Sequence, residues 1–294
     1  MSGLPFPPLL HLRPAEKVTL AYLAASTVLV VVGRRRVPGA RRVLAGYTVT
    51  AAAVAVCAYA QPRSSSRALF RTRAVLPLAC TGWLFPASGR QALALYGRLL
   101  DNEMLVWERR AFGCHPNLAC DKIAWRALNE ALTVAYSSYY LYFAVPPFHL
   151  ARTGRDRDLE RYVLAICLAQ YCCFLGFAVL PLAGPIAALR ASFDPPRLTG
   201  YLAVPAQTWL MDRADPPGTC FPSSHVAGAW AATLTALPVL PRPAARTMAA
   251  VTTALTVSVV HCRYHYVVDA VAGLAIAALA HRAAPRLLRG GSAA

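Results

Sequence analysis

Long stretches without a charged side chain limit what this chain can fold into. Residues 18–33 and 43–60 contain no Asp, Glu, Lys or Arg, and an Arg-rich loop separates them. A helix that crosses a bilayer needs about 20 mostly apolar residues, and somewhat shorter ones serve. Residues 131–150, 162–189, 223–240 and 247–262 meet the same description, the second turning into loop at Pro181 and Pro185, and residues 266–280 do so except for Asp269. Residues 74–89 are also free of charge but contain Pro77 and Pro86, which makes them the weakest candidate. The expected fold is all-α, a polytopic transmembrane helix bundle of about six to eight spans.

Composition agrees. The 294 residues are 57% hydrophobic and 15% charged, against roughly 45–50% and about 25% in soluble domains. The net charge of +17, from 30 basic and 13 acidic residues, suits nucleic acid in a soluble protein. Here the arginines cluster between apolar runs, as at Arg34-Arg35-Arg36, Arg41-Arg42, Arg71 and Arg73, and from Arg282 to Arg289. That is the layout of loops beside anionic head groups, so no nucleic-acid partner is expected and membrane lipids are. Only Lys17 and Lys122 are lysines. With abundant alanine, this is the composition of a GC-rich genome, and the plasma membrane of such a bacterium is the expected location. No cleavable leader is read from the proline-rich start.

Two further segments read differently. Residues 95–113 mix Leu, Met and Trp with Asp101, Glu103, Glu108, Arg109 and Arg110, as an amphipathic helix at the interface does. Residues 191–218, rich in Pro and Asp, read as an ordered surface loop. The chain divides into N-terminal transmembrane helices (1–94), a catalytic membrane domain (95–285) and a basic tail (286–294).

Chemistry concentrates in two short segments. In Cys220-Phe-Pro-Ser-Ser-His225, Pro222 and Ser223 are helix-start residues. The free N–H groups of a first helical turn bind phosphate, and His225 in that turn can protonate an ester oxygen. The alternative is a capped helix with an interfacial histidine. In Arg263-Tyr-His-Tyr-Val-Val-Asp269, His265 and Asp269 are four apart and share a helix face. The carboxylate can fix the imidazole tautomer and leave the other ring nitrogen as a nucleophile. The alternative is a buried pair that fixes helix packing. Arg263 is placed to bind phosphate or to snorkel to head groups.

The helix beginning at Ser223 ends near Leu240, and the next runs back to about Cys262. His225 and His265 therefore share one membrane face. Arg242, Arg246, Arg282, Arg286, Arg289 and the loop 152–161 lie on the other. The positive-inside rule makes that other face cytoplasmic and the histidine face extracytoplasmic. The N-terminal spans stay unoriented, because residues 34–42 and 63–73 are both basic and flank one helix.

Pro222-Ser-Ser-His225 resembles the second signature, usually Pro-Ser-Gly-His, of the type 2 phosphatidic acid phosphatase superfamily. Ser258, His265 and Asp269 resemble the third, Ser-Arg-x5-His-x3-Asp. The resemblance implies that His265 is the nucleophile, Asp269 its support and His225 the proton donor to the leaving group. Ser223 and Ser224 in the first helical turn, together with Arg263, are the residues expected to meet the substrate phosphate. Val259 stands where the third signature has arginine, Ser224 where the second has glycine, and the first signature, Lys-x6-Arg-Pro, is absent. Pro181-Leu-Ala-Gly-Pro185, Asp101-x5-Trp107-Glu108, Phe112-Gly-x-His-Pro116, Asn129-Glu130 and Tyr136-Ser-Ser-Tyr-Tyr140 are similar to the inositol phosphorylceramide synthase branch. Over about residues 95–285 this implies inositol-phosphate transfer through a phosphohistidine. The donor would be a phospholipid or polyprenyl phosphate and the acceptor an alcohol or lipid, with no metal and no cofactor. Water as acceptor gives a lipid phosphate phosphatase instead, and a non-enzymatic transporter or structural protein is the reading from another class. Asp101, Glu130 and Tyr140 read as interface or packing residues.

Cys220 and Cys262 precede the two histidine motifs, and a disulfide between them could clamp the two loops on an oxidising face. Cys114 and Cys120 form a second such pair. Free thiols are the alternative for both.

Overall fold

The computed structural model describes residues 11–60, 66–195 and 197–290. Fourteen α-helices and no strand occur among them, so the expected all-α bundle is what the chain forms. Five helices are long and apolar enough to cross a membrane. They are α1 (Pro14–Val32), α2 (Ala40–Ala60), α9 (Asp156–Val179), α13 (Arg242–His261) and α14 (Val267–Gly290). Between them lie α3 (Arg67–Gln91), α4 (Asp101–Phe112), α5 (Pro116–Asp121), α6 (Arg126–Ser137), α7 (Tyr139–Tyr142), α8 (Val145–Arg152), α10 (Pro185–Ala188), α11 (Ala203–Ala214) and α12 (Ser224–Ala236).

α9 is the axis of the bundle. It packs on α1, α3, α8, α12 and α14. Tyr162, Leu164, Ile166, Cys167, Phe174 and Phe177 are fully buried around it, as expected of a helix that is apolar on every side. Tyr171 stacks on Tyr22 at 4.5 Å, and its hydroxyl donates to the Pro77 carbonyl at 3.2 Å, joining α9 to α1 and α3. α12 has only 13 residues, yet it crosses α14 closely at Gly273. A β-carbon there would stand 2.7 Å from the Ser223 carbonyl oxygen. Glycine lets the two motif helices touch.

Three sequence expectations change. Residues 131–150 are not one span but α6, α7 and α8, broken around Ser138 and Ala144, with Pro146 and Pro147 opening α8. The break leaves carbonyls open, and the Tyr162 hydroxyl takes that of Tyr142 at 2.8 Å. Residues 191–218 are not all loop, because α11 lies within them. Arg73 does not belong to a head-group loop. It is buried in α3 and paired through both nitrogens with buried Glu16 of α1, at 2.6 and 2.7 Å. Conversely, α3 is continuous through Pro77 and Pro86.

The Glu16–Arg73 pair orients the N-terminal helices. α1 and α3 begin at the same end of the bundle, and α2 returns between them. Arg13 pairs with Glu160 and Arg71 with Asp156, so α9 begins at that end too. Arg155 donates to the Val239 carbonyl at 2.7 Å, which brings in the end of α12 and the start of α13. The two histidine motifs occupy the opposite end.

Candidate active site

His265 sits in the turn between α13 and α14. α13 stops because Arg263 takes a left-handed conformation, φ +67°, at the position after a C-cap where glycine is usual. The N–H groups of Tyr264 and His265 then return to the Val259 carbonyl at 3.0 and 2.8 Å. The Asn117 amide holds the loop from outside, donating to the carbonyls of Val260 at 2.8 Å and His265 at 3.1 Å.

The imidazole stands in a polar cage. Its Nδ1 lies 3.3 Å from Asp269 Oδ2 and 3.4 Å from Cys220 Sγ. The same Asp269 oxygen accepts from the Tyr266 N–H at 2.8 Å and the Cys220 thiol at 2.9 Å. Burial first, and then the neighbouring Asp269, push the Cys220 thiol well above its ordinary range, so it stays protonated and donates. Asp269 is fully buried, and two donors, the Tyr266 N–H and the Cys220 thiol, aim its carboxylate at one ring nitrogen. The expected i, i+4 relation is therefore a contact. Sequence reasoning did not include Cys220 in it.

His225 is held differently. Ser223 caps α12, its hydroxyl oxygen accepting from the Val226 N–H at 3.3 Å, while its own N–H reaches the Asp269 carbonyl at 3.0 Å. One helix start thus rests on the other motif. The His225 ring stacks on Tyr136 with centroids 4.6 Å apart and meets Tyr139 at 4.3 Å, with the Tyr136 hydroxyl 3.5 Å from Nδ1. The two imidazoles lie 6.2 Å apart between centroids, their planes tilted by 58°. That gap suits a phosphoryl group with a nucleophile on one side and a proton donor on the other, each within about 3 Å.

Two cavities meet there. One, of about 490 Å³, is almost wholly apolar and runs among α3, α7, α9 and α11 past Leu78, Phe85, Phe143 and Phe174 to Ser224 and His225. The other is a small polar pocket at His265, Cys220, Thr219 and Tyr264. Phe85, Met211, Asp215, Ser224 and His225 line both. Asp215 and Gln170 are absent from the sequence expectations. Asp215 lies in a Pro-rich stretch that carries no motif, and Gln170 lies inside an apolar helix.

Some expected site residues have other work. Arg263 lines neither cavity. Its guanidinium pairs with Asp121, donates to the Pro195 carbonyl at 3.0 Å and lies 4.0 Å over the Phe193 ring. It anchors the loop that carries His265 rather than lining the site. Ser223 is buried as a cap and lines neither cavity, whereas Ser224 lines both. Cys220 and Cys262 are both free. The Cys220 thiol is turned to Asp269, while Cys262 lies 3.7 Å from the Thr133 hydroxyl. Cys114 and Cys120 are free as well.

The upstream carboxylates are braces. Asp101 accepts from the N–H groups of Ala183 and Gly184 at 2.8 and 2.9 Å and from the Tyr266 hydroxyl at 3.1 Å. Gly184, at φ +96°, lets the loop pass against Cys220. Glu108 accepts from the Val267 N–H at 3.2 Å at the start of α14, and burial, opposed by that bond, pushes its carboxyl up to about 7. Glu130 accepts from the N–H groups of Tyr201, Leu202, Ala203 and Val204, and so caps α11.

Cys220, His265 and Asp269 also present three ligand-type atoms within 4.8 Å of one another. Sulfur, imidazole and carboxylate are zinc ligands. Here the same atoms satisfy one another by hydrogen bonds.

No curated protein and no solved structure matches the chain. The family model described as the PAP2 superfamily matches residues 102–283, more than half of the sequence and the whole of both histidine motifs. The chain belongs to the PAP2 superfamily.

Proposed function

We propose that this protein is an integral membrane lipid phosphotransferase that works through a phosphohistidine on His265, with inositol-phosphate head-group transfer as its reaction. Membership of the PAP2 superfamily supports a phosphatase or phosphotransferase. The observation that carries the reading is the close pair of imidazoles, His225 at the end of an apolar cavity and His265 in the adjoining polar pocket, backed by a buried carboxylate.

Asp269 holds the proton on Nδ1, so Nε2 carries the lone pair. Nε2 attacks phosphorus, an N–P bond forms, and the P–O bond to the lipid breaks. The departing oxygen takes its proton from His225. An acceptor hydroxyl then attacks phosphorus, the N–P bond breaks, and its proton passes to His225. The lipid chain lies in the apolar cavity, where burial stabilises it by about 25 cal/mol per Å². With a phosphomonoester lipid as donor and water as acceptor, the same two steps make the enzyme a phosphatase. The end of the bundle with Arg152–Arg161, Arg242, Arg246 and Arg282–Arg289 is taken as cytoplasmic, which puts the site on the extracytoplasmic face.

The test is turnover in detergent micelles of phosphatidylinositol, phosphatidic acid and a polyprenyl diphosphate, with and without a long-chain alcohol. Head-group transfer to the alcohol supports the transferase, and phosphate release alone supports the phosphatase. Turnover that survives His265→Ala defeats the mechanism. Stoichiometric bound zinc, with loss of activity on chelation, defeats the metal-free form of it.

A further inference from the structure

The charge inside the site is opposite to what phosphate binding usually needs. Among the described residues that line the two cavities there is no lysine and no arginine, and Asp215 is the only acid. Arg263, the cation nearest in sequence to His265, is taken by Asp121, Pro195 and Phe193. Asp215 lies just past α11 and shows accessible surface. Because it lines both cavities, it stands where the lipid chamber opens onto the histidines. Among the described residues its carboxylate accepts one side-chain hydrogen bond, from the Thr219 hydroxyl at 3.5 Å, so most of its acceptor capacity is left open.

From this arrangement, and resting on the phosphohistidine reading above, we infer that Asp215 selects the substrate by charge. It opposes a phosphomonoester, which carries nearly two negative charges, admits a phosphodiester, which carries one, and accepts a hydrogen bond from a hydroxyl of the head group or acceptor. A fixed carboxylate beside a second full negative charge is a standard device for rejecting a ligand. A monoester loses its second charge below about pH 6. Although its side chain is exposed, the protein packed around the cavity mouth partly desolvates the Asp215 carboxyl and pushes it up to about 6, while the His265 imidazole and the Thr219 hydroxyl pull it down. The other titratable groups facing it are His225 of α12, Cys220 and Tyr264 of the motif loops, Tyr136 of α6 and Tyr140 of α7. Discrimination should therefore be strong at pH 8 and weak at pH 5.

The experiment is a competition between phosphatidylinositol and phosphatidic acid in the same micelle, with a long-chain alcohol present, using wild type, Asp215→Asn, Asp215→Glu and His265→Ala. The expected result at pH 8 is a monoester-to-diester turnover ratio raised about tenfold or more in Asp215→Asn and unchanged in Asp215→Glu. In wild type the ratio rises from pH 8 to pH 5, and in Asp215→Asn that rise shrinks. A ratio unaltered by Asp215→Asn, with His265→Ala inactive, overturns the charge filter and leaves the phosphohistidine standing. If Asp215→Asn does not fold, a wild-type ratio equal at pH 5 and pH 8 overturns the filter. Turnover by His265→Ala, or none by wild type, overturns the phosphohistidine reading itself.

Discussion

The two histidines are held by different means. Around His265 the neighbours are mostly polar: a thiol and a main-chain N–H meet at the carboxylate oxygen that faces its Nδ1. Around His225 nearly everything is aromatic: Tyr136 and Tyr139 sandwich the ring, and one hydroxyl at 3.5 Å is its polar neighbour. A polar cage sets a tautomer and stabilises the charge that develops on a nucleophile. An aromatic cage sets an orientation and leaves the proton mobile. The difference matches the division of labour proposed for them, in which one nitrogen must bond to phosphorus and the other must pass a proton both ways.

Breaking the polar cage should cost most. His265→Ala is expected to reduce turnover to background and abolish an acid-labile phosphoenzyme in single-turnover trapping. Asp269→Asn removes the acceptor that fixes Nδ1–H, and a loss of about 10³–10⁴ in kcat is expected. A loss below about tenfold would reduce Asp269 to a packing role. His225→Ala should cost about 10³ with a lipid alcohol leaving group but much less with a nitrophenyl ester, whose anion leaves without a proton. Equal losses on both would remove His225 from the proton-donor role. Tyr139→Leu empties one side of the aromatic cage, and about a tenfold fall in kcat with little change in KM is expected. The smallest effect separates Cys220 variants. Cys220→Ser keeps a donor to Asp269 and should retain activity within about threefold, while Cys220→Ala leaves a buried acceptor short of a partner and should fall further. The reverse order would mean that the thiol has chemistry of its own.

Much of this was legible in the sequence. The apolar runs located α1, α2, α9, α13 and α14, because lipid exposure and burial both require uncharged helices. The motif spacing located His225, His265 and Asp269. What was illegible depends on partners far along the chain. α11 was hidden because its N-terminal N–H groups are capped by Glu130, more than 70 residues earlier, so no local cap announces the helix. Arg263 looked like a phosphate ligand because it neighbours His265. Asp121, which takes it, is 142 residues away. Asp101 read only as an interface or packing residue, and its partners, which tie the loop at Ala183 to Tyr266, lie 82 and 165 residues away. Residues 131–150 read as a span because they carry no charge, but Pro146 and Pro147 start a new helix there.

The buried pair of Glu16 and Arg73 bears on how the protein is made. In the growing chain Glu16 enters the bilayer boundary in α1 while Arg73, 57 residues later, has not yet been added. A lone carboxylate there costs a few kcal/mol, and so does a lone guanidinium. Each charge is compensated only when α1 and α3 pack together, so reversing either one alone should lower the yield of membrane-inserted protein, and reversing both together should restore it.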